Sequence, residues 1–419
     1  METGGRAGTT GKVLALRRED YGQEGIDSAV KAVFEYFGGI ARFVRPGADV
    51  LLKVNLVAGR KPERRVTTDP SVVRAAARAV LEAGGHPIIA DSPGIDNFSR
   101  AAEKAGFTEV AEELGIPCVE LTDPVPLPAA PGASFQKIEA ARRVLSSDLV
   151  INLPKMKTHG QMLLTLGVKN LFGCVVGQKK SEWHYNVGLR REVFASLLLD
   201  IWEGVRPALT ILDGVIGMDG RGPTNGSPCP YGVLAGAEDA LTLDFHICRM
   251  MGAQLEDYPL WQAAAARNMP QCRLRDEDLA GDFPASHVWK GIDIRKMDSL
   301  SLLPFLPTLF KLPFGRFLER ALTSRPSHIP SRCLGIARCG RCAAVCAAKA
   351  IEPAERALIS AGAGAGEEGG KSLKFDYEKC IRCYCCHEMC PANAIEFKEG
   401  LWMKASRLLP RFRRPPASN

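Results

Sequence analysis

Short apolar runs alternate with longer amphipathic segments along the first 295 residues. The runs have strand length and read KVLALR, VLLKVNLV, PIIAD, PCVEL, LVINL, ALTILDG and YGVLAG. The segments between them, such as DPSVVRAAARAVLEAGG, have the spacing of helices. Strands that alternate with helices are typical of α/β proteins. The pattern therefore predicts an α/β body over residues 1–295, with a largely parallel sheet and flanking helices.

Helix boundaries are marked most clearly in the second of these segments. Asp69 is a good capping residue, Pro70 would fall in the first turn, and Gly84 follows the last apolar position. These residue types favour a helix that begins and ends there. Residues 96–115 also have helical spacing, and we expect that segment to break near Gly106.

The chain changes character after residue 295. Residues 296–330 are apolar but contain Pro304, Pro307 and Pro313, so they suit an extended strap better than a membrane helix. We expect this strap to dock the cysteine-rich module. The Gly-rich stretch 361–370 is expected to be a flexible loop between two cysteine runs. The predicted units are the body 1–295, the strap 296–330, a cysteine-rich domain 331–398 and a basic tail 399–419.

The cysteine-rich domain contains the spacing C-x2-C-x2-C-x3-C-P. Its cysteines are Cys380, Cys383, Cys386 and Cys390, and Pro391 follows the last of them. In bacterial ferredoxins three thiolates of such a run bind one cubane cluster and the fourth reaches a second cluster. A structural zinc site would instead use two separated pairs of ligands. The spacing therefore predicts iron–sulfur clusters rather than zinc.

A second run lies upstream and departs from the regular spacing. Cys339, Cys342 and Cys346 are in register, but Ile336 occupies the position where the fourth cysteine is expected, and Cys333 comes three residues early. Either the loop bulges so that Cys333 completes the ligand set, or this cluster has an open or non-cysteine corner. We favour the first, because an unpaired thiol at that place would be a coincidence.

The crossed ligand pattern of ferredoxins assigns eight thiols to two [4Fe-4S] clusters. The first set is Cys333, Cys339, Cys342 and Cys390, and the second is Cys346, Cys380, Cys383 and Cys386. Cys385 is left over, and we expect its side chain to pack beside a cluster rather than to bind iron.

Composition and charge narrow the class of protein. Nine of the 14 cysteines follow residue 332, which favours metal ligation over disulfides. The start of the chain lacks the pattern of a secretory signal, and no apolar run has membrane-spanning length, so we expect a cytoplasmic protein. The net charge of +7 does not point to nucleic acid, because few aromatic residues interleave with basic ones outside the tail.

The tail is the most basic part of the chain. Residues 401–419 contain five Lys and Arg residues, no acidic residue and several large apolar ones. Such a segment suits peripheral contact with an anionic membrane surface or an acidic partner, and a solvated tail is an equal alternative.

Polar residues in the body gather near the ends of predicted strands, where open α/β sheets bind ligands. Extended backbone after Pro154 would place Lys155, Lys157 and His159 on one face, because strand side chains alternate with a period of two. Three potential cations on one face suggest an anionic ligand such as a carboxylate or phosphate. The other candidate ligand-binding residues are Lys53, Asn55, Asp91, Lys169 and Asn170, with Asp213 as a candidate catalytic residue.

Several of these stretches resemble the domain-of-unknown-function-362 family. They are TTDPSVVRAAARAVLEAGG, IIADSPG, SDLVINLPKMKTHGQMLLTLGVKNLFG and LDGVIGMDGRGP, and members of that family often carry a C-terminal ferredoxin module that CIRCYCCHEMCP resembles. The resemblance covers most of the chain. It implies an α/β body fused to an iron–sulfur module, without a defined activity.

Two hypotheses of function follow. In the first, an iron–sulfur oxidoreductase passes electrons to an anionic small molecule in the body; Lys157 and His159 bind or protonate that molecule, and Asp213 positions His159. In the second, the protein is an electron carrier or accessory protein whose body docks a redox partner protein. The two differ in whether the body binds a small molecule by itself.

Overall fold

The computed structural model describes residues 11–188, 190–294, 324–353 and 372–398. The chain divides into two units, Met1–Arg295 and Lys296–Asn419. The predicted Gly-rich loop 361–370, the tail 399–419 and most of the strap 296–330 lie outside the described residues.

The described part of the first unit has thirteen strands. They are β1 (Val13–Arg17), β2 (Asp49–Lys53), β3 (His86–Asp91), β4 (Cys118–Glu120), β5 (Pro124–Pro126), β6 (Glu139–Ala141), β7 (Leu149–Asn152), β8 (Lys155–His159), β9 (Leu163–Thr165), β10 (Leu209–Asp219), β11 (Ser227–Cys229), β12 (Val233–Ala237) and β13 (Leu279–Gly281). The apolar runs of the sequence became β1, β2, β3, β4, β7, β10 and β12.

Most of these strands form one sheet with the order β13-β1-β12-β10-β7-β2-β3-β4. Neighbours are parallel except at β12, which is antiparallel to both β1 and β10. The long strand β10 also pairs with β8 and β11, and β8 forms a hairpin with β9. β5 and β6 pair separately as a two-stranded sheet. The predicted α/β fold with a largely parallel sheet is thus confirmed.

Ten helices flank the sheet in the described part of this unit. They are α1 (Gln23–Tyr36), α2 (Pro70–Glu82), α3 (Phe98–Lys104), α4 (Phe107–Leu114), α5 (Arg142–Ser146), α6 (Gly167–Asn170), α7 (Lys179–Val187), α8 (Arg191–Val205), α9 (Ala240–Met250) and α10 (Pro259–Ala266). Across all described residues, no helix has the length and apolar content needed to cross a membrane.

Alternation along the strands builds a core on each face of the sheet. In β2, Val50 and Leu52 pack with residues of α1, α2 and α4, whereas Leu51 packs in the core that includes α8, α9 and α10. Burying a leucine or valine side chain contributes about 1.5–3 kcal/mol, so both faces stabilise the central strands. The strands read as continuous apolar runs because they are covered on both sides.

Helix α2 begins and ends as its sequence predicts. The Asp69 side chain accepts a hydrogen bond from the Ser71 backbone N–H, and Pro70 is the first helical residue. Gly84 follows the helix with a φ of 78°, a left-handed conformation that glycine adopts without strain. Gly106, with a φ of 79°, separates α3 from α4 where the break was expected.

The second unit contains two small antiparallel sheets among its described residues. β14 (Arg325–His328) pairs with β17 (Ile395–Lys398), and β15 (Ile351–Pro353) pairs with β16 (Leu373–Phe375). Two one-turn helices, α11 (Arg341–Ala344) and α12 (Cys385–Glu388), lie in the two cysteine runs. Residues 325–328 of the predicted strap are therefore a strand of this unit.

Candidate functional site

The sheet of the body has a topological switch point between β2 and β7. After β2 the chain continues into α2, which packs on one face of the sheet. After β7 it passes through the β8–β9 hairpin to α8, whose residues pack on the opposite face. The chain segments that follow these two adjacent strands therefore diverge beyond the carboxyl ends of the strands. Open α/β sheets bind ligands in such a crevice. The candidate residues of the body gather around it.

Lys53 and Asp91 form a buried ion pair at the ends of β2 and β3. Lys53 Nζ lies 2.7 Å from Asp91 Oδ1. The other carboxylate oxygen accepts the Leu56 backbone N–H at 2.6 Å. A Cβ at position 173 would come within 2.5 Å of Lys53 Nζ, so Gly173 is needed for this close approach. The pair joins the two strand ends to the segment after α6.

Lys155 and Asp213 form a second buried pair, between β8 and β10. Lys155 Nζ lies 2.7 Å from Asp213 Oδ2 and donates to the Tyr21 hydroxyl at 2.6 Å. The Tyr21 hydroxyl in turn donates to Asp213 Oδ1 at 2.8 Å, and the Asp69 N–H donates to Asp213 Oδ2 at 2.9 Å. Asp213 thus joins β10, β8 and the start of α2.

Burial is the main cause of the pKa shifts in and around this second pair. Burial lowers the pKa of Lys155, and the Asp213 carboxylate opposes that effect. Burial raises the pKa of Tyr21, and the charge of Asp213 raises it further. Burial, followed by the charge of Asp213, also raises the pKa of Asp69. Sequence analysis predicted that Asp213 positions His159; its described contacts are with Lys155, Tyr21 and Asp69, so that role stays a prediction.

Lys157 joins a chain of buried amides at the crevice. Its ammonium donates to Asn55 Oδ1 and to the Val66 carbonyl, both at 2.7 Å. Asn55 Nδ2 donates to Asn170 Oδ1 at 2.8 Å, and Asn170 Nδ2 donates to Asn152 Oδ1 at 2.8 Å. The chain links the ends of β2 and β7 to α6. Lys169 precedes Asn170 on α6 and is half-buried.

His159 ends β8 and closes the β8–β9 hairpin. Its Nδ1 accepts the backbone N–H groups of Gln161 at 3.1 Å and Met162 at 3.2 Å. A nitrogen that accepts two N–H groups does not carry a proton, so the ring is neutral with its proton on Nε2. His159 Nδ1 is therefore an acceptor, which leaves Nε2 as the hydrogen-bond donor of the ring.

Sequence reasoning missed several residues that build this site. Tyr21 lies before α1 in a stretch without a recognisable motif, and Asn152 looked like the end of a strand. Lys180 donates to the Ser92 carbonyl at 2.6 Å, and burial lowers its pKa to about 8. Asp244, on α9, accepts the N–H groups of Gly167 and Val168 at the start of α6. No local signal in the sequence pairs these residues.

The second unit brings the predicted cluster ligands together in two groups. The first group lines one shared cavity with largely apolar walls; it consists of Cys333, Cys339, Cys342 and Cys390. The pKa of Cys342 is raised to about 11, chiefly by burial and then by the thiols of Cys390, Cys333 and Cys339. The displaced cysteine of the first run therefore lies with the other three thiols.

The second group lies around Cys386. Burial raises the pKa of Cys386, and nearby thiols raise it further, namely Cys383, Cys380, Cys342 and Cys346. Burial, and then the Cys383 and Cys346 thiols, likewise raise the pKa of Cys380. Iron binding must displace these protons. Within the described residues, no three His, Cys, Asp or Glu side chains are close enough to hold a single metal ion.

Backbone amides reach the thiols in a repeated pattern. The Ala350 N–H donates to Cys346 Sγ at 3.2 Å, and the Ala394 N–H donates to Cys390 Sγ at 3.1 Å. The same four-residue spacing in both runs indicates two equivalent halves. Such bonds to cluster sulfurs help to set reduction potentials. Cys385 lies against Cys383, whose pKa it lowers through a hydrogen bond.

Two family models match this chain, one in each unit. Residues 50–249 match the family model described as a domain of unknown function, DUF362, and residues 323–394 match a 4Fe-4S dicluster domain. The chain is 35% identical over 319 residues to the thylakoid-associated protein sll1697 of Synechocystis sp., covering 74% of this chain and 97% of the relative.

Two solved structures have distant similarity. The lactate racemase apoprotein of Thermoanaerobacterium thermosaccharolyticum has 14% identity and a TM-score of 0.37, over 56% of each chain. A Thermotoga maritima protein has 11% identity and a TM-score of 0.35, over 54% of this chain and 57% of that one. At these TM-scores the similarity carries no argument about activity.

Proposed function

Because this chain belongs to the DUF362 family and carries a C-terminal 4Fe-4S dicluster domain, we propose that it is an oxidoreductase whose 1–295 body binds a small anionic molecule that accepts electrons through that domain. The dicluster domain binds two [4Fe-4S] clusters, which supply single-electron chemistry when present. A two-electron reduction of the bound molecule would draw one electron from each cluster. A separate redox partner protein would then return one electron to each cluster.

The thiols described above fit two cubane clusters. One set would be Cys333, Cys339, Cys342 and Cys390, which share a cavity, and the other would be Cys346, Cys380, Cys383 and Cys386. The shared cavity supports Cys333 as the fourth ligand rather than an open corner. The assignment of individual thiols is part of the proposal.

The observation that carries the proposal for the body is the buried polar network at the β2–β7 switch point. Lys157, Asn55 and Asn170 are each nearly inaccessible and lie where doubly wound sheets bind ligands. In such a low-dielectric site an ammonium attracts an oxyanion strongly. Lys157 would supply charge, and His159 would donate a hydrogen bond from Nε2 to a ligand oxygen. Lys155 and Asp213 would hold β8 and β10 in position.

The carrier hypothesis is favoured by a different observation. Two of the three buried lysines of the described body, Lys53 and Lys155, are already neutralised by Asp91 and Asp213. A network with paired charges can serve purely to fix the fold, and the body would then dock a redox partner without binding a small molecule.

Analysis of extracted small molecules distinguishes the oxidoreductase proposal from the carrier hypothesis. Full-length protein purified without oxygen would be heat-denatured, and the released small molecules identified by mass spectrometry. The oxidoreductase proposal predicts a carboxylate or phosphate in the extract of the wild type. Lys157→Ala should reduce its occupancy by about tenfold to a hundredfold, because a charge-assisted hydrogen bond contributes about 1.5–3 kcal/mol. Lys157→Arg should restore it only in part.

Lys137→Ala is the matched control, because Lys137 is exposed on the surface of the body. Its extract should equal that of the wild type. Extracts without any anionic metabolite, or with equal amounts from Lys157→Ala and the wild type, would favour the carrier hypothesis.

Peripheral membrane contact is a further proposal for residues 401–419. The curated relative is named as thylakoid-associated, and this segment of the present chain contains five basic and no acidic residues. Full-length protein should bind vesicles that contain anionic lipid, and the binding should weaken in high salt. Equal binding by a chain that ends at residue 400 would exclude the tail as the contact.

A further inference from the structure

Three buried polar atoms around the β8–β9 hairpin have no hydrogen-bond partner in the described structure. They are Thr67 Oγ1, Gln161 Oε1 and Thr165 Oγ1. The exposed fractions of these residues are only 2%, 5% and 3%. Buried polar groups in folded proteins nearly always have a partner, which is protein, water or ligand. A polar molecule is therefore expected at this place.

The three atoms lie around Lys157 and His159. Thr165 is directly opposite Lys157 in the register of the β8–β9 hairpin, so the two side chains share a face. Thr67 follows Val66, whose carbonyl accepts from Lys157 Nζ. Gln161 donates its backbone N–H to His159 Nδ1. Three chain segments that neighbour Lys157 or His159 thus each carry an unpartnered polar group.

Neighbouring threonines show that this condition is local. The Thr158 hydroxyl, on the same hairpin and 1% exposed, donates to the Gly220 carbonyl at 3.2 Å. The Thr68 hydroxyl donates to the Leu153 carbonyl at 2.6 Å and accepts the Asn55 N–H at 2.9 Å. Among these four threonines, the unpartnered hydroxyls are therefore those of Thr67 and Thr165.

We propose that Thr67, Gln161 and Thr165 bind the ligand of the body, and that this ligand is a small oxyanion that also carries a hydroxyl group. The proposal rests on the proposed function, since it takes the same site. Threonine hydroxyls and the Lys157 ammonium donate hydrogen bonds and suit the oxygens of a carboxylate or phosphate. Gln161 Oε1 is an acceptor and requires a donor, which a ligand hydroxyl supplies.

Replacement of each threonine by valine tests the binding role. Valine has nearly the same shape, so Thr165→Val removes a hydroxyl that has no partner among the described residues. The unfolding temperature of the full-length protein without added ligand should therefore stay the same or rise. Thr158→Val removes a hydroxyl with a partner, so its unfolding temperature should fall.

The probes are glycolate, acetate and inorganic phosphate, added at millimolar concentration to full-length protein freed of bound small molecules. Glycolate should bind and raise the unfolding temperature of the wild type. Its dissociation constant should increase about tenfold in Thr165→Val and in Thr67→Val, and remain unchanged in Thr158→Val. Gln161→Leu should abolish the preference for glycolate over acetate. Phosphate that binds more tightly than glycolate would identify a phosphate rather than a carboxylate oxyanion.

Equal glycolate or phosphate affinities in the wild type, Thr67→Val and Thr165→Val would overturn the proposal, because those hydroxyls would then contact water. A drop in the unfolding temperature of Thr165→Val equal to that of Thr158→Val would overturn it as well, as would the failure of all three probes to bind. Binding with the expected losses, but without any effect of the ligand on cluster reoxidation, would contradict only the redox part of the proposed function.

Discussion

The surroundings of buried polar groups differ between the two units of this protein. In the body, Lys53 and Lys155 are each held by a carboxylate at 2.7 Å, and the apolar cores on both faces of the sheet surround them. In the second unit, burial raises the pKa of thiols such as Cys342 and Cys386, and two pairs of short strands supply little core. We therefore expect the body to fold without iron, whereas the second unit should depend on its clusters for folding.

Loss of a cluster should have the largest effect and should be confined to the second unit. Protein isolated without oxygen should contain about eight iron and eight sulfide per chain. Cys383→Ser should lose about half of the iron and destabilise the second unit, because metal binding is part of its folding free energy. Iron and sulfide analysis measures the first effect, and proteolysis after residue 295 measures the second.

Four of the five tryptophans, Trp183, Trp202, Trp261 and Trp289, lie in the body, so tryptophan fluorescence reports on that unit as the control. It should unfold at the same temperature in Cys383→Ser and the wild type. Zinc in place of iron, or a body that unfolds together with the second unit, would contradict the comparison.

Breaking a charge pair should have the next largest effect, confined to the body. Asp213→Asn leaves the Lys155 ammonium buried without its carboxylate and should lower the free energy of unfolding by about 3–5 kcal/mol. The double variant Lys155→Met/Asp213→Asn should recover most of that loss, since no unpaired charge remains. Denaturant unfolding followed by tryptophan fluorescence measures both.

The iron content of these variants should equal that of the wild type. If Asp213→Asn is as stable as the wild type, the pair is not held in a low-dielectric interior. If the double variant is no more stable than Asp213→Asn, lost hydrogen bonds rather than charge explain the effect.

A smaller effect is expected from the buried carboxyl of Asp244. Burial raises its pKa from 3.8 to about 8, and the N–H groups of Gly167 and Val168 partly oppose this. Between these values the folded state binds the proton and the unfolded state does not, so the contribution of Asp244 to stability is highest below about pH 4 and falls as the pH rises to 8. The slope is at most about 1.4 kcal/mol per pH unit.

Asp244→Asn removes the titration, so its unfolding free energy should depend less on pH between pH 5 and 8 than that of the wild type. Unfolding by denaturant at several pH values gives the difference between the two slopes. Parallel curves would mean that Asp244 ionises normally in the folded protein.

What the sequence could predict depended on how local the interactions are. The cysteine spacing places its ligands in one short loop, and the extended backbone expected after Pro154 is strand β8, Lys155–His159. Asp213 binds Tyr21, which is 192 residues away, and no pattern in either segment signals the contact. The neutral state of His159 depends on two backbone N–H groups in the following turn, which residue type alone does not reveal.

The central claim is that an anion bound at the β2–β7 crevice takes electrons through the dicluster domain. It is tested most directly by reducing the full-length protein without oxygen and following reoxidation of the clusters after the heat-released extract of the same protein is added. His159→Asn is the sharpest variant, because asparagine can accept the N–H groups of Gln161 and Met162 but lacks the Nε2 donor. The account predicts extract-dependent reoxidation in the wild type and in Lys137→Ala, slowed at least about tenfold in Lys157→Ala and in His159→Asn, with unchanged cluster absorption. Reoxidation that is independent of the extract, or equal in all four proteins, would contradict it.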